Sequence, residues 1–203
     1  DSWASRGLGD VYKRQVQQGM MNNVEIHVRS TFTNNEGTSI TSDDKISYNK
    51  VITGVAYSKD DAKITLIGVE DRPGIAASIF KPLYENNISV DMIVQNVSAD
   101  NKRTDVTFTI KREDLDKSAN LIKKNSNLKF EKITFDDKVA KVSIVGAGMI
   151  THPGVAFKMF KALSDQNINI LVISTSEIKI SVLIDENQTQ KAVVAIHTAF
   201  DLD

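Results

Sequence analysis

The chain contains two copies of one pattern. Lys63-Ile64-Thr65-Leu66-Ile67-Gly68 returns as Lys141-Val142-Ser143-Ile144-Val145-Gly146, 78 residues on. Each hexamer runs into a Pro-Gly pair, Pro73-Gly74 and Pro153-Gly154, now 80 residues apart, so the second copy has gained two residues in that loop. The offset of 80 then holds for Ala76 and Ala156, Phe80 and Phe160, Lys81 and Lys161, Leu83 and Leu163, Asn87-Ile88 and Asn167-Ile168, and Ile93 and Ile173. Ile110 and Ile184 are 74 apart, which places six extra residues of the first copy near Ser98–Arg103. Chance similarity does not keep register across a helix and two strands. The repeat therefore restricts the fold to two copies of one small unit, each too small to be robust alone and expected to pack on the other.

The period inside each copy names the unit. Lys63–Val69 is β-branched and apolar, a strand closed by Asp-Arg-Pro-Gly. Ile75, Ile79, Phe80, Leu83 and Tyr84 recur at helical spacing, giving an amphipathic helix that ends near Asn86-Asn87. Pro82 lies inside that pattern and predicts a kink. Ile88–Val97 and Thr104–Lys111 read as strands around a polar turn, Glu113–Lys124 as a helix with Leu115, Ala119, Ile122 and Lys123 on one side, and Leu128–Phe135 as a last strand. The order β-α-β-β-α-β is the ferredoxin-like unit. The second copy gives a strand over 139–146, a helix over 154–166, strands over 168–175 and 177–184 and a helix over 188–200, and is one strand short. Val51–Ser58 is an orphan strand before the first copy. An unfilled sheet edge is a liability. Val51–Ser58 is therefore expected to complete the second unit, which makes the first unit an insertion between that strand and the rest of the second. The fold class is α+β.

Composition removes several function classes. Lys+Arg is 25 and Asp+Glu is 26, a net charge of −1, without the basic excess that nucleic-acid binding by counterion release requires. No apolar run approaches the ~20 residues of a membrane span. With Cys at 0, disulfides, a thiolate nucleophile and a Cys-based zinc site are all excluded, and a reducing cytoplasm suits the chain. Asp1–Gln15 has no apolar core, no clear period and no initiator Met, yet holds the only Trp, Trp3. It reads as a foreign leader and is set aside from the fold.

The motifs are sparse. Gly146-Ala147-Gly148 opens like a dinucleotide fingerprint, but Thr151 stands where the third Gly belongs, and a plain strand-to-helix loop fits better. His27, His152 and His197 are scattered, with no metal-ligand spacing, and no catalytic constellation is readable. The Pro-Gly loops say more. Pro fixes φ, Gly admits close approach, and the helix behind presents unpaired N–H groups that suit a carboxylate. Asp71 precedes the first loop and Asp91 lies on the next strand; two acids near an anion-binding helix end suit a zwitterion. The residues alone leave ordinary turn and surface roles open for both.

At these residues the chain resembles the C-terminal regulatory region of the aspartate kinase family. The stretches that carry the resemblance include ITGVAYSKDDAKITLIGVEDRPGIAASIF (52–80), VDMIVQNVS (90–98), TDVTFTI (104–110), DDKVAKVSIVGAGMITHPGVAFKMFKAL (136–163) and ISTSEIKISVLI (173–184). In that family the region is a tandem of ACT domains, amino-acid-binding ferredoxin-like modules. NVEIHVRSTFTNNEGTSIT (23–41) resembles the end of the kinase domain. The organisation expected is a leader over 1–15, a kinase remnant and linker over 16–47, a strand of the second module over 48–61, the first ACT module over 62–136 and the second over 137–203. The resemblance implies threonine held by Gly74, Ala76, Gln95, Asn169 and Ile170, and lysine by Asp71 and Asp91 facing Ser176 and Glu177. Gln95 both donates and accepts, as a hydroxyl or carboxylate requires. Ala156 departs from the hydroxyl residue often found in lysine-responsive members. The resemblance also implies a homodimer through ACT sheets, a partner kinase domain, ATP and magnesium for the parent enzyme, and no kinase activity or cofactor for this chain alone. A natural regulatory subunit and a stand-alone ACT protein are the alternatives.

Overall fold

The computed structural model describes residues 15–16, 18–41, 51–97, 102–146, 149 and 152–202. All of the expected leader except Gln15, the linker 42–50, the tip of the turn at 98–101 and most of the Gly146–Thr151 loop lie outside the described residues. Residues 1–49 and 50–203 form separate compact units. The first contains a short hairpin, β1 (Ile26–Val28) antiparallel to β2 (Thr38–Ile40).

The second unit holds both modules. In chain order it runs β3 (Gly54–Ser58), β4 (Asp61–Glu70), α1 (Ile75–Glu85), β5 (Val90–Val97), β6 (Arg103–Lys111), α2 (Leu115–Lys124) and β7 (Lys132–Asp136). It continues with β8 (Val139–Val145), α3 (Val155–Asp165), β9 (Val172–Thr175), β10 (Lys179–Asp185) and α4 (Thr189–Ala199). Two antiparallel four-stranded sheets result, ordered β5-β6-β4-β7 and β3-β8-β10-β9. The orphan strand does complete the second sheet: Gly54–Ser58 pairs with Val145–Lys141. Its entry repeats that of β7. Thr53 N–H donates to Val145 O at 2.8 Å, and Glu131 N–H donates to Ile67 O at 2.9 Å, with Ile67 and Val145 at matching places in the repeat. Among the described residues no helix is long and apolar enough to cross a membrane.

Each sheet buries one face under its two helices. Ile64, Leu66, Ile79, Leu83, Phe108 and Ile122 form the heart of the first core, with Phe80 edge-on to Phe108 at 5.2 Å between ring centres. Val142, Ile144, Met159, Leu163, Val182 and Ile196 form the second. Fully burying such a side chain stabilises by about 1.5–3 kcal/mol. Alternation along β4 and β8 sends Asp61, Lys63 and Thr65, and Val139, Lys141 and Ser143, to the opposite faces of the sheets. There the modules meet: Met92, Val139, Val172 and Leu183 are buried as one cluster, with Val94 against it.

Several expected boundaries move, each for a local reason. β5 begins at Val90 rather than Ile88, and β9 at Val172 rather than 168, because α1 and α3 end on left-handed Asn87 (φ 58) and Asn167 (φ 56). The chain then bonds back, Ile88 N–H to Leu83 O and Ile168 N–H to Leu163 O, before it straightens. β7 starts at Lys132 rather than Leu128, since Leu128 N–H closes a turn onto Asn125 O. The segment before α2 is a short 3-10 turn over Arg112–Asp114. Lys123 is exposed, its ammonium 5.4 Å above the Phe135 ring.

A kink is expected at Pro82, and α1 continues through it as one helix from Ile75 to Glu85. Proline offers no N–H to the carbonyl of Ser78, four residues back. The Asn125 side-chain amide donates to Ser78 O instead, at 3.0 Å. In the second copy Ala162 and Ala199 occupy these two places, so the donor appears only where the proline does.

Candidate functional site

Both Pro-Gly loops end in a left-handed glycine that caps a helix without any side-chain hydrogen bond: Gly74 at φ 85 and Gly154 at φ 97. A Cβ added at either would meet nothing within 4 Å, so the space beside both glycines is open; Ile75 N–H, the first of α1, donates to Arg72 O at 3.1 Å. Ala76 follows Gly74 and is exposed. The turn is fastened from below by Asp71 N–H, which donates to Lys102 O at 3.0 Å.

In the same sheet, β5, separated from β4 by β6, carries the decisive irregularity. β5 pairs with β6 as Asp91↔Thr109 and then as Val94↔Thr107, so three residues on β5 span two on β6. This is a β-bulge, and Met92 takes a left-handed φ of 46 inside it. Its N–H donates to the neighbouring carboxylate, Asp91 Oδ1, at 2.8 Å. A bulky residue in that region stores of order 1–3 kcal/mol, held here by the burial of Met92 between the modules. The consequence is geometric. In a regular strand Asp91 and Gln95 would share a face, being four residues apart. Across the bulge they do not. Asp91 lies level with Thr109 and Lys63 on the face toward the second module. Gln95 lies level with core Val106, on the helix side, where Gly74 and Ala76 begin α1.

Asp91 has a partner from the second module. Lys141 Nζ donates to Asp91 Oδ2 at 2.7 Å and lies 3.6 Å from Asp61 Oδ1. Burial, the largest single influence, opposes both charges, and the hydrogen bonds and opposite charges together outweigh it. Asp91 is held below the ordinary carboxylate range by the Lys141 and Met92 donors, and Lys141 is raised above the ordinary lysine range by Asp91 and the Asp61 charge. A second link joins the modules at Arg112 and Glu186, 3.2 Å apart.

The sequence-derived residues therefore fall into groups. Gly74, Ala76 and Gln95 lie on the helix side of the first sheet. Asn169 is exposed and Ile170 half-buried against the second core, in the segment that leads into β9. Ser176 closes the β9–β10 turn through its N–H to Lys179 O at 2.7 Å, with Glu177 exposed at the tip. Ala156 packs on the second core. Among the described residues no hydrogen bond or ion pair joins Gly74, Ala76 or Gln95 to Asn169 or Ile170, nor Asp71 or Asp91 to Ser176 or Glu177. Also among the described residues, no three His, Cys, Asp or Glu side chains converge in a way that fits a metal ion such as magnesium. Sequence reasoning missed Lys141, Asp61 and the Met92 bulge. A signal existed for Lys141: it repeats Lys63, while the acid that faces Lys63 across the sheet, Asp136, is replaced by Ser58.

Two duplicated βαββαβ modules, one threaded into the other and joined by a polar seam, make this a tandem ACT protein. Models of the ACT domain match residues 63–127 and 142–200. The aspartate kinase of Pseudomonas putida is 45% identical over 202 residues, covering 98% of this chain and 49% of its own length. The aspartokinase of Corynebacterium glutamicum is 43% identical over 193 residues, 93% of this chain and 46% of its own. The regulatory subunit of aspartate kinase from Thermus thermophilus, in its ligand-free crystal form, superposes with a TM-score of 0.70 at 40% identity, covering 74% of this chain and 99% of that one. The chain belongs to the aspartate kinase family and carries its regulatory ACT region. It spans about half the length of the curated relatives it matches.

Proposed function

We propose that this region is the amino-acid sensor of a cytoplasmic aspartate kinase, binding threonine, lysine or both to mediate feedback inhibition. The observation that carries the reading is the β5 bulge, which gives one strand two chemically different faces. On the helix side, the N–H groups behind Gly74 and Ala76 suit a carboxylate and Gln95 suits a hydroxyl, with Asn169 and Ile170 contributed by the second module. On the other face, Asp71 and Asp91, with Ser176 and Glu177, suit the ammonium of lysine. The parent enzyme would use ATP and magnesium to convert L-aspartate to 4-phospho-L-aspartate, at the head of lysine, threonine and methionine synthesis. Its nucleotide and aspartate sites would lie outside this chain, which spans about half the length of its curated relatives.

The mechanism is a population shift. A ligand that bridges two elements favours the packing in which both touch it, and the linked kinase domain follows. Pairing of two chains through ACT sheets fits β5 and β9, the outer strands of their sheets among the described residues, where Ile93 and Ile173 are 54% and 43% exposed. Calorimetric titration with threonine, lysine and both together tests the reading. Gln95→Ala removes a donor and an acceptor from the helix-side face and should weaken threonine about five- to 150-fold. The melting temperature should stay nearly constant, since Gln95 is exposed. Threonine bound as tightly by Gln95→Ala as by the wild type would overturn this assignment.

A further inference from the structure

We propose that Lys141 is a built-in stand-in for the ligand ammonium, which holds Asp91 until an incoming amino acid displaces it onto Asp61. This inference rests on the reading of Asp91 as an ammonium-binding carboxylate. It starts from a gradient of burial along three charges. The Asp61 side chain is 5% exposed, Lys141 18% and Asp91 54%. The lysine therefore approaches Asp91 from inside the module seam, and solvent reaches Asp91 from outside. A ligand arriving from solvent meets a carboxylate that is already paired.

Displacing a half-buried ammonium normally strands it, at a cost that would exclude the ligand. Here it need not be stranded. Asp61 Oδ1 lies 3.6 Å from Lys141 Nζ, too far for a hydrogen bond and near enough to reach by a change in the last side-chain torsions. Asp61 Oδ2 is buried and has no hydrogen-bond partner. A buried carboxylate oxygen without a donor is costly, so Asp61 has acceptor capacity to spare. When a primary ammonium takes over Asp91, Lys141 shortens its existing 3.6 Å ion pair with Asp61 into a full hydrogen bond. Two carboxylates then serve two ammonium groups. The second module senses occupancy because Lys141 lies on β8, beside Val139 of the buried cluster that also contains Met92. Threonine, whose side chain carries no ammonium, has no such effect on Lys141 from the helix side of the sheet.

The test is calorimetry of L-lysine and L-threonine on the full chain, its Asp61→Asn and Lys141→Met variants, and, on the wild type, NMR of the Lys141 ε-methylene assigned by through-bond connectivity. Asp61→Asn should weaken lysine about five- to 20-fold, the loss of one charge-assisted hydrogen bond, and leave threonine within about twofold. Lys141→Met should bind lysine severalfold more tightly, because the competitor is gone. In the wild type the ε-methylene resonance should move with lysine and stay still with threonine, a readout that stands even where a variant fails to fold. Lysine binding with equal affinity to all three proteins, or a Lys141 resonance unmoved at lysine saturation, would overturn the hand-off and leave the effector reading intact. A wild type that binds no lysine would remove the lysine half of that reading, and the hand-off with it.

Discussion

Lys63 and Lys141 occupy the same place in the two copies, on the sheet face away from the helices, and they do different things. Lys63 stays within its module, 3.6 Å from Asp136 on the neighbouring strand. Lys141 has Ser58 opposite it on β3, and crosses the seam to Asp91 and Asp61 instead. The surroundings have diverged in step. Asp61 of the first copy is matched by Val139, and Thr109 by Leu183. By contrast, the helix-side cores are matched almost residue for residue: Ile79 with Met159, Leu83 with Leu163, Ile122 with Ile196, all fully buried. Duplication gave two identical faces, which would pair symmetrically. Divergence on those faces has left Asp61 and Thr109 in the first copy where the second has Val139 and Leu183, and the ion pairs of Lys141 and of Arg112 with Glu186 cross between the modules. The core sets the fold of each half, and the seam sets what the two halves do together.

The largest effect expected from this comparison is at the matching glycines of the two copies, Gly68 inside β4 and Gly146 just after β8. A Cβ at Gly146 would lie 2.2 Å from Val51 O and 2.7 Å from Ile52 Cα, both backbone atoms of the chain entering β3. At Gly68 the near atoms belong to the Glu131 side chain, which can swing away. Gly146→Ala should therefore cost about 3 kcal/mol, the upper end of overpacking, and loosen β3. Gly68→Ala should cost about 1–2 kcal/mol, mainly from its left-handed φ of 68. Urea denaturation of both variants orders the two; equal costs would mean that β3 is less tightly seated than β7.

A smaller effect separates the helices. Asn125→Ala leaves the Ser78 carbonyl opposite Pro82 without a donor and should cost about 1–2 kcal/mol. Pro82→Ala restores the backbone N–H, as Ala162 has it in the second copy. The double variant should then recover most of the loss. A double variant as unstable as Asn125→Ala would show that Asn125 acts through α2 and not through the proline.

How far the sequence reaches follows from the same contrast. The repeat, the missing strand and its replacement by Val51–Ser58 were legible, because burial imposes a period on the residues themselves. The Gly74 and Gly154 loops were legible from Pro-Gly. The Met92 bulge was not, since methionine carries no preference for a left-handed φ and the extra residue leaves the apolar pattern of β5 intact. Without the bulge, strand alternation puts Asp91 and Gln95 on one face, and only the family resemblance assigned them to two different sets of residues. Lys141 escaped for a related reason: a lysine on a strand reads as solvent-facing until the sheet opposite it is known.

The smallest expected effect tests the seam directly. Asp91 is held below its ordinary range, so its contribution to stability is full above the unfolded carboxylate value of about 4 and is lost as pH falls through the lower folded value. Lys141 is raised, so its contribution is full below about 10.4 and is lost as pH rises through the higher folded value. Between about pH 5 and 9 both are constant. Asp91→Asn should therefore lower stability by a fixed amount across that plateau, and the gap should close towards pH 3. Half of the Asp91 side chain is in solvent, so the plateau loss should not exceed about 1 kcal/mol. Lys63→Met supplies the comparison: its ion pair is longer and stays within one module, and its loss should be about 0.5 kcal/mol or less. Urea midpoints at pH 3, 5 and 7 measure both variants. An Asp91→Asn curve that stays parallel to the wild type down to pH 3 would mean that the Lys141 bridge adds no stability to the seam, and that Met92, Val139, Val172 and Leu183 hold the modules together without it.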